Sequence, residues 1–270
     1  MRIATVRAEG AEQLAVADGD GYRRLNSHGD LTALLRAGVD PRQLPLGELV
    51  DGDLATPLRP GKVVAIGLNY LDHIRESSLE RPERPLVFAK FPSSVIGPGD
   101  SIEVDETLTR RVDWEVELAV IVGRSMRRVP ESHALGHVFG YTVGNDVSAR
   151  DVQFSESQWV RGKSFDTFCP LGPVVVTADE IPDPQALTLQ TRVNGDVMQD
   201  SSTAEMVFGV AELLAFCSRS FTLDPGDVVL TGTPWGCGEF MDPPRSLAPG
   251  DVVETEIEGI GTLRNPVVAV

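Results

Sequence analysis

The sequence contains few cysteines, and their spacing excludes the common cysteine-based frameworks. Cys169, Cys217 and Cys237 are the only three in 270 residues, and no two of them form a C-x-x-C pair. An odd number of widely spaced cysteines argues against both a disulfide scaffold and a structural zinc site. We therefore expect reduced thiols, as in a cytoplasmic protein.

Positive charge and long apolar runs are also scarce. Only 24 Lys and Arg residues oppose 40 Asp and Glu residues, which gives a formal net charge of −16. An acidic surface repels phosphate backbones and anionic lipids, so neither nucleic acid nor a membrane is an expected partner. No apolar run reaches the roughly 18 residues that span a bilayer, and "MRIATVRAEG" lacks the apolar stretch of a secretory signal. These absences predict a cytoplasmic protein that acts on a small molecule.

The sequence is rich in short valine-containing segments separated by Pro/Gly turns. "KVVAIGL", "VELAVIVG" and "GPVVVTA" are examples, and their spacing predicts a mostly β protein built as a sandwich, roll or barrel. Three turns share the sequence Pro-Gly-Asp, which is typical of a tight turn before a strand. Apolar periodicity predicts helices at about 70–80, 131–136 and 203–219.

Residues 1–55 predict a small N-terminal α+β domain, and residues 60–270 a larger β domain. "MRIATVR" and "EQLAVAD" have the pattern of strands, and "DLTALLRAG" that of a helix with Asp30 as its N-cap. The segment 51–62, rich in Asp, Pro and Gly, is predicted to be a linker.

Three carboxylates stand at the ends of predicted strands. Glu115 and Glu117 are two residues apart in "DWEVELAVIVG", so their side chains leave the same face of a strand. Asp146 follows the apolar strand "GYTVGN". Three converging carboxylates would form an oxygen-only site suited to Mg²⁺, Mn²⁺ or Ca²⁺. Alternatively the two glutamates lie on a solvated face and Asp146 caps a turn, and the spacing alone favours neither interpretation.

Other segments carry groups suited to catalysis. His73 and Glu76 are three residues apart on a predicted helix, so the carboxylate can orient the imidazole as a base, although an exposed pair is the commoner arrangement. Lys163 could stabilise an enolate oxygen or simply lie at the surface. Thr231 and Thr233, on the Gly-rich segment "LTGTPWGCG", could receive an anionic substrate group.

Taken in order, these segments resemble the fumarylacetoacetate hydrolase superfamily. The resemblance runs from about residue 63 to residue 265 and includes "GLNYLDHIRE", "FAKFPSSVIGPGDSI", "DWEVELAVIVG", "GYTVGNDVSARDVQ", "KSFDTFCPLGP", "VNGDVMQDSST" and "LTGTPWGCG". It implies a mixed β-sandwich roll preceded by the small α+β domain, usually as a homodimer. It also implies one divalent cation per subunit, Mg²⁺ or Mn²⁺, with Ca²⁺ as a possible substitute.

The resemblance also implies roles for individual residues. The implied metal ligands are Glu115, Glu117 and Asp146. The implied catalytic residues are His73, Glu76 and Lys163, and the implied substrate-binding residues are Tyr70, Arg150, Gln153 and Thr233.

The first activity implied by the resemblance is metal-dependent hydrolysis of a C–C bond in an acylpyruvate or β-diketo acid, through an enolate-type intermediate. The alternative is an isomerase or decarboxylase of a 2-oxo or 2-hydroxymuconate-type diacid in aromatic catabolism, including oxaloacetate-like β-keto acids. Both need the same metal and base, so the sequence does not choose between them. Leu68 is one departure, because some acylpyruvate-cleaving relatives carry an arginine there. A non-catalytic scaffold is disfavoured, since every implied catalytic residue and metal ligand is present.

Overall fold

A computed structural model describes residues 1–270, and it confirms the predicted mostly β fold class. The strands are β1 Arg2–Ala8, β2 Ala11–Asp18, β3 Gly21–Leu25, β4 Leu46–Val50, β5 Asp53–Ala55, β6 Val63–Gly67, β7 Leu86–Lys90, β8 Val95–Ile96, β9 Ile102–Val104, β10 Val112–Asp113, β11 Val116–Val122, β12 Val138–Asn145, β13 Ser148–Ala149, β14 Cys169–Thr177, β15 Thr188–Val193, β16 Asp196–Ser202, β17 Val228–Leu230, β18 Val252–Ile257 and β19 Gly261–Ala269. The helices are α1 Leu31–Arg36, α2 Leu71–Ser77, α3 Glu131–Ala134, α4 Arg150–Ser155, α5 Val160–Lys163 and α6 Val210–Ser220. None of these helices has the length and apolar character needed to cross a bilayer.

Twelve strands form one large mixed sheet. Its main path runs β4-β3-β2-β1-β14-β12-β11-β17-β6-β7, with β5 paired to β1 and β8 to β14. The pairs β6–β17 and β8–β14 are parallel, and the other pairs of this sheet are antiparallel. A five-stranded sheet in the order β16-β15-β18-β19-β9 and the two-stranded ribbon β10-β13 complete the architecture.

Strand β11 crosses the centre of the large sheet and is buried along its whole length. Leu118 and Val120 enter one hydrophobic core, which also contains residues of α6 and of the five-stranded sheet. Ala119 and Ile121 point the other way, into a second core that includes the apolar side of α1. Burial on both faces explains why this segment is a continuous apolar run and not an alternating one. It also places the glutamates at the start of β11 inside the protein.

The N-terminal strands continue the large sheet. Strand β1 pairs with β14 through Arg2↔Val176 and Ile3↔Val175. Helix α1 begins as predicted, because the Asp30 side chain accepts a hydrogen bond from Ala33 N at 2.8 Å. The division into domains at residues 55 and 60 stays a prediction, since the hydrogen-bonded sheet extends across it.

Two local predictions were wrong. The predicted linker 51–62 contains strand β5, which pairs with β1. The predicted helix 203–219 begins only at Val210, because Asn69 holds the preceding residues in another conformation: its side-chain oxygen accepts from Phe208 N at 2.9 Å. Helices α4 and α5 were not predicted, since they are too short to show an apolar period.

The three Pro-Gly-Asp turns close in the same way. In each, the aspartate carboxylate accepts a hydrogen bond from the backbone amide three residues earlier. The acceptors are Asp100, Asp227 and Asp251, and the donors are Gly97, Asp224 and Ala248, at 2.8, 2.7 and 2.9 Å. The glycine of each turn has a positive φ, which explains the Gly in the motif. The turn prediction is therefore confirmed.

Candidate active site

Strand pairing brings the three predicted ligands together. Glu117 is opposite Gly144 in the β11–β12 pair, so Asp146 follows β12 beside the start of β11. Asp146 N donates a hydrogen bond to Glu115 O at 2.9 Å, which fixes that position. Carboxylate oxygens of Glu115, Glu117 and Asp146 lie within 4.8 Å of one another, and all three residues are buried.

Two cationic side chains neutralise Glu115. Lys163 Nζ lies 2.5 Å from Glu115 Oε2 and 2.9 Å from Asp146 Oδ2. Arg150 NH2 lies 2.6 Å from Glu115 Oε1. Burial by itself raises the pKa of Glu115, but Lys163 and Arg150 outweigh it and lower that pKa to about 2. Glu115 is therefore a carboxylate at every physiological pH.

Glu117 has a different environment. Its carboxylate accepts a hydrogen bond from Gly232 N at 2.7 Å, and no lysine or arginine forms an ion pair with it. Burial, followed by the negative charges of Asp146 and Glu115, raises the pKa of Glu117 well above its usual value. Ionised Glu117 would therefore add a negative charge that no neighbouring cation balances.

This imbalance fits a divalent cation. The buried carboxylates of the cluster are Asp113, Glu115, Glu117 and Asp146, and its buried cations are Lys90, Arg150 and Lys163. When all are ionised, one negative charge remains uncompensated, and the donors are the hard oxygens that Mg²⁺ and Mn²⁺ prefer. The residues that would hold the cation are Glu115, Glu117 and Asp146, whose carboxylate oxygens already converge.

Sequence reasoning missed two members of this cluster. Asp113 pairs with Arg150 at 2.8 Å and accepts from Gly238 N at 2.7 Å. Its signal was present, because it stands two residues before Glu115 and so continues the same i, i+2 spacing. Lys90 Nζ lies 2.6 Å from Asp146 Oδ1. A lysine at the end of strand β7 has no sequence feature that separates it from a surface lysine.

Helix α2 presents a histidine and a glutamate side by side. His73 Nδ1 lies 3.1 Å from Glu76 Oε2, as the i, i+3 spacing predicts. Glu76 Oε1 accepts from Gly236 N at 2.8 Å, so the loop after β17 holds the carboxylate in place. A carboxylate that is hydrogen-bonded to Nδ1 favours the imidazole tautomer with its proton on Nδ1, so Nε2 is left as a hydrogen-bond acceptor. The Phe240 ring packs edge-on against the imidazole, with centroids 5.4 Å apart.

His73 and two of the three carboxylates, Glu115 and Glu117, line one small cavity of about 50 Å³, whereas Glu76 and Asp146 do not reach its wall. Its polar lining consists of His73, Glu115, Glu117, Arg150, Gln153, Lys163 and Thr233. Its apolar lining includes Leu68, Leu79, Phe88, Phe154, Trp159 and Phe240.

The predicted substrate-binding residues divide into two groups. Arg150, Gln153 and Thr233 line the cavity; Arg150 NH1 donates to Gln153 Oε1 at 3.1 Å, and Thr233 Oγ1 accepts from Gln199 Nε2 at 2.9 Å. Tyr70 is fully buried in the main core and does not line the cavity. Its position therefore does not support the predicted substrate contact.

The chain is similar over its whole length to solved structures. A fumarylacetoacetate hydrolase from the psychrophile Exiguobacterium antarcticum is 39% identical, with a TM-score of 0.89 and 100% of both chains covered. A 5-carboxymethyl-2-hydroxymuconate delta-isomerase from Mycobacterium smegmatis is 36% identical, with a TM-score of 0.84 and the same coverage. In sequence, the mitochondrial oxaloacetate tautomerase fahd2 of Xenopus laevis is 50% identical over 235 residues, or 86% of this chain and 73% of the relative.

The prediction of a cytoplasmic location is contradicted by these comparisons, since the Xenopus relative is named as mitochondrial. That prediction depended on the few cysteines and on the lack of a secretory signal. Reduced thiols separate oxidising from reducing compartments, but they do not distinguish one reducing compartment from another.

A family profile covers most of the chain. The profile described as the C-terminal part of fumarylacetoacetate (FAA) hydrolase matches residues 62–268. The match begins beside strand β6 and contains every motif from which the resemblance was inferred. It also contains the carboxylate cluster, helix α2 and the cavity described above. The chain therefore belongs to the fumarylacetoacetate hydrolase family.

Proposed function

We propose that this chain is an isomerase that interconverts the keto and enol forms of a small 2-oxo diacid of the oxaloacetate type. The observation that carries the proposal is the position of His73, oriented by Glu76, on the same small cavity as the carboxylate cluster. Keto–enol exchange needs a base beside the carbon and positive charge beside the oxygen, and this cavity offers both. Among the similar proteins, the Xenopus tautomerase and the mycobacterial delta-isomerase support isomerisation.

The positive charge has two sources. A divalent cation, Mg²⁺ or Mn²⁺, held by Glu115, Glu117 and Asp146 would polarise the 2-oxo oxygen as a Lewis acid. Burial lowers the pKa of Lys163, but Asp146 and Glu115 outweigh this effect and raise it. Lys163 therefore remains an ammonium group, which stabilises negative charge on the substrate oxygen and does not donate its proton.

The dyad moves the proton. His73 Nε2 removes a proton from the carbon next to the 2-oxo group, while Glu76 holds Nδ1–H and stabilises the imidazolium that forms. Return of the proton to the oxygen gives the enol, and return to the carbon restores the keto acid. The second carboxylate of the diacid would be received by the remaining polar lining, Gln153 and Thr233.

Two features favour isomerisation over hydrolysis. Cleavage of a C–C bond requires, in addition, a water beside a second carbonyl. The rings of Phe88 and Phe240 form part of the cavity wall and offer such a water no strong hydrogen bond. Leu68 lines the cavity at the position where some acylpyruvate-cleaving relatives carry an arginine, so it offers no charge to an acylpyruvate carboxylate.

The test follows the ultraviolet absorbance of enol-oxaloacetate as it converts to the keto form, with saturating Mg²⁺ or Mn²⁺. His73→Ala is expected to lower kcat by roughly 10²-fold or more, the usual contribution of a general base. It should leave Mn²⁺ affinity unchanged, because His73 is not one of the three carboxylates. His133→Ala, which removes an exposed histidine of α3, is the matched control and should retain full activity.

The same preparations also separate the two activities. Acetylpyruvate is supplied in parallel, and its products are scored by chromatography. Conversion of acetylpyruvate to pyruvate and acetate, with enol-oxaloacetate decaying only at the uncatalysed rate, would show that the isomerase proposal is wrong and that the chain is a hydrolase. A fully active His73→Ala variant would disprove the role of the dyad.

A further inference from the structure

The dyad residues and Cys237 together present a second set of atoms that could hold a metal ion, and this set differs chemically from the carboxylate cluster. Atoms of His73, Glu76 and Cys237 lie within 4.8 Å of one another. Cys237 Sγ is 4.0 Å from His73 Nδ1, which in turn is 3.1 Å from Glu76 Oε2. The set combines nitrogen, oxygen and sulfur, whereas the cluster at Glu115 offers oxygen alone.

We propose that His73, Glu76 and Cys237 form a binding site for a thiophilic divalent ion such as Zn²⁺, and that its occupancy inhibits the enzyme. Zn–N and Zn–S bonds of about 2.0 and 2.3 Å at tetrahedral angles place nitrogen and sulfur about 3.6 Å apart, and nitrogen and oxygen about 3.3 Å apart. The observed nitrogen–sulfur separation is 4.0 Å and the observed nitrogen–oxygen separation is 3.1 Å, so each is within 0.4 Å of its expected value. The inhibition rests on the proposed function, whereas the binding site does not.

The ligands are held in position before any ion binds. Gly236 N donates to Glu76 Oε1 at 2.8 Å, and Gly236 O accepts from Trp114 Nε1 at 3.0 Å. On the other side of Cys237, Gly238 N donates to Asp113 Oδ1 at 2.7 Å. Cys237 is thus confined between two tethered glycines, which lowers the entropy cost of bringing the three ligands together.

The charge balance suits a buried divalent ion. Binding would release the Cys237 thiol proton to solvent, and the resulting thiolate and the Glu76 carboxylate would neutralise the two positive charges. A neutral complex avoids the cost of burying net charge at this position, where Cys237 is fully buried. The Glu76 side chain is 16% exposed, which gives the site an edge open to solvent. Sulfur and imidazole favour Zn²⁺ over Mg²⁺, so the two sites would select different ions.

Occupancy would remove the base without touching the carboxylate cluster. An ion on His73 Nδ1 displaces the proton from that nitrogen, so the remaining ring proton must reside on Nε2. Nε2 then has no lone pair with which to accept a proton from substrate. Glu76 is also withdrawn from its contact with the ring. Since the inhibitory ion does not compete for Glu115, Glu117 or Asp146, excess Mg²⁺ should not relieve the inhibition.

The binding site is tested with Co²⁺ as a spectroscopic probe on protein saturated with Mg²⁺. Wild-type protein should show a thiolate-to-Co²⁺ charge-transfer band in the near ultraviolet, and Zn²⁺ should abolish it. Cys237→Ser and Cys237→Ala should both lack the band, with circular dichroism verifying that each variant is folded. Cys217→Ala is the matched control, because it removes a buried cysteine of α6 and should keep the band.

Inhibition is measured separately by Zn²⁺ titration of the isomerase assay. Cys237→Ser should raise the half-inhibitory Zn²⁺ concentration by at least about tenfold while leaving basal activity unchanged. The lack of a Co²⁺–thiolate band in wild-type protein, or its persistence in both Cys237 variants, would overturn the metal site. Equal Zn²⁺ sensitivity of wild type and Cys237→Ser would overturn the inhibition. Lack of isomerase activity before Zn²⁺ addition would contradict the proposed function and would leave the Co²⁺ result unaffected.

Discussion

Replacing Glu117 with glutamine should stabilise the metal-free protein while weakening its metal binding. The Glu117 carboxyl group is buried near Glu115 and Asp146 without a cationic partner, so it ionises less readily in the folded state than in the unfolded chain, and this difference costs stability. Glutamine has no proton to lose, and its side-chain oxygen can still accept the hydrogen bond from Gly232 N. We expect a gain of about 1 to 3 kcal/mol in the free energy of unfolding at neutral pH, as for other unpaired buried charges.

The gain should depend on pH with a definite sign. The folded-state pKa of Glu117 is raised above the unfolded value of about 4.3. Below that unfolded value the carboxyl is protonated in both states, so the variant and the wild type should have similar stability. As pH rises, the unfolded chain ionises first, and the folded wild type loses stability until its own pKa is passed. The difference in free energy of unfolding between Glu117→Gln and the wild type should therefore increase from about pH 4 to neutral pH.

Divalent metal should offset this difference in stability and, at a sufficient excess over its Kd, reverse it. A ligand at 100 times its Kd stabilises the folded state by about 2.7 kcal/mol. The wild type should gain this stabilisation from Mg²⁺, whereas Glu117→Gln lacks one of the three ligands and should gain little. Urea denaturation at several pH values, with EDTA or with Mg²⁺, measures both effects.

Glu115→Gln is the matched control, two residues away in the same cluster. It should also bind metal poorly, but it should destabilise the metal-free protein, because Lys163 and Arg150 each lose a buried partner. We expect a loss on the order of 3 kcal/mol, at the low end of the range for broken buried pairs, since both cations keep an aspartate partner. If both glutamine variants shifted metal-free stability in the same direction, the assignment of unbalanced charge to Glu117 would be refuted.

Three further predictions concern stability and assembly. Asp227→Ala removes a buried acceptor from two backbone amides and from Lys62, and it should lower the free energy of unfolding by about 3 kcal/mol in urea denaturation. Asp251→Ala, in the equivalent exposed turn, should lower it by about 1 kcal/mol, and equal losses would contradict the burial argument. Burial by itself raises the pKa of Asp100, but Arg7 and the Gly97 amide outweigh burial, so the pKa of Asp100 is lowered. The stability from this half-exposed pair, roughly 1 kcal/mol, should therefore be present above about pH 4 and lost in acid, and Asp100→Asn should remove that pH dependence. The homodimer remains a prediction, and sedimentation at twice the 29.1 kDa chain mass would support it.

Much of the fold could be predicted because its signals are local. The Asp30 cap, the Pro-Gly-Asp turns and the apolar strands depend on residues within a few positions of one another. The same holds for the site, where i, i+2 spacing aligned Glu115 with Glu117. Where a distant residue competed with local preference, prediction failed: Asn69 delays the start of α6 through a contact across 139 residues.

The sequence by itself determined which groups this protein carries and which of them share a strand or a helix face, since backbone geometry sets both. Only the tertiary structure decided their charge environment. Lys90 reaches Asp146 across 56 residues and Lys163 reaches Glu115 across 48, so one glutamate of the pair is neutralised while Glu117 is not. Cys237 meets His73 across 164 residues, a contact that no spacing rule contains. Ionisation and metal affinity depend on through-space distance and burial, and these quantities exist only once the strands have paired.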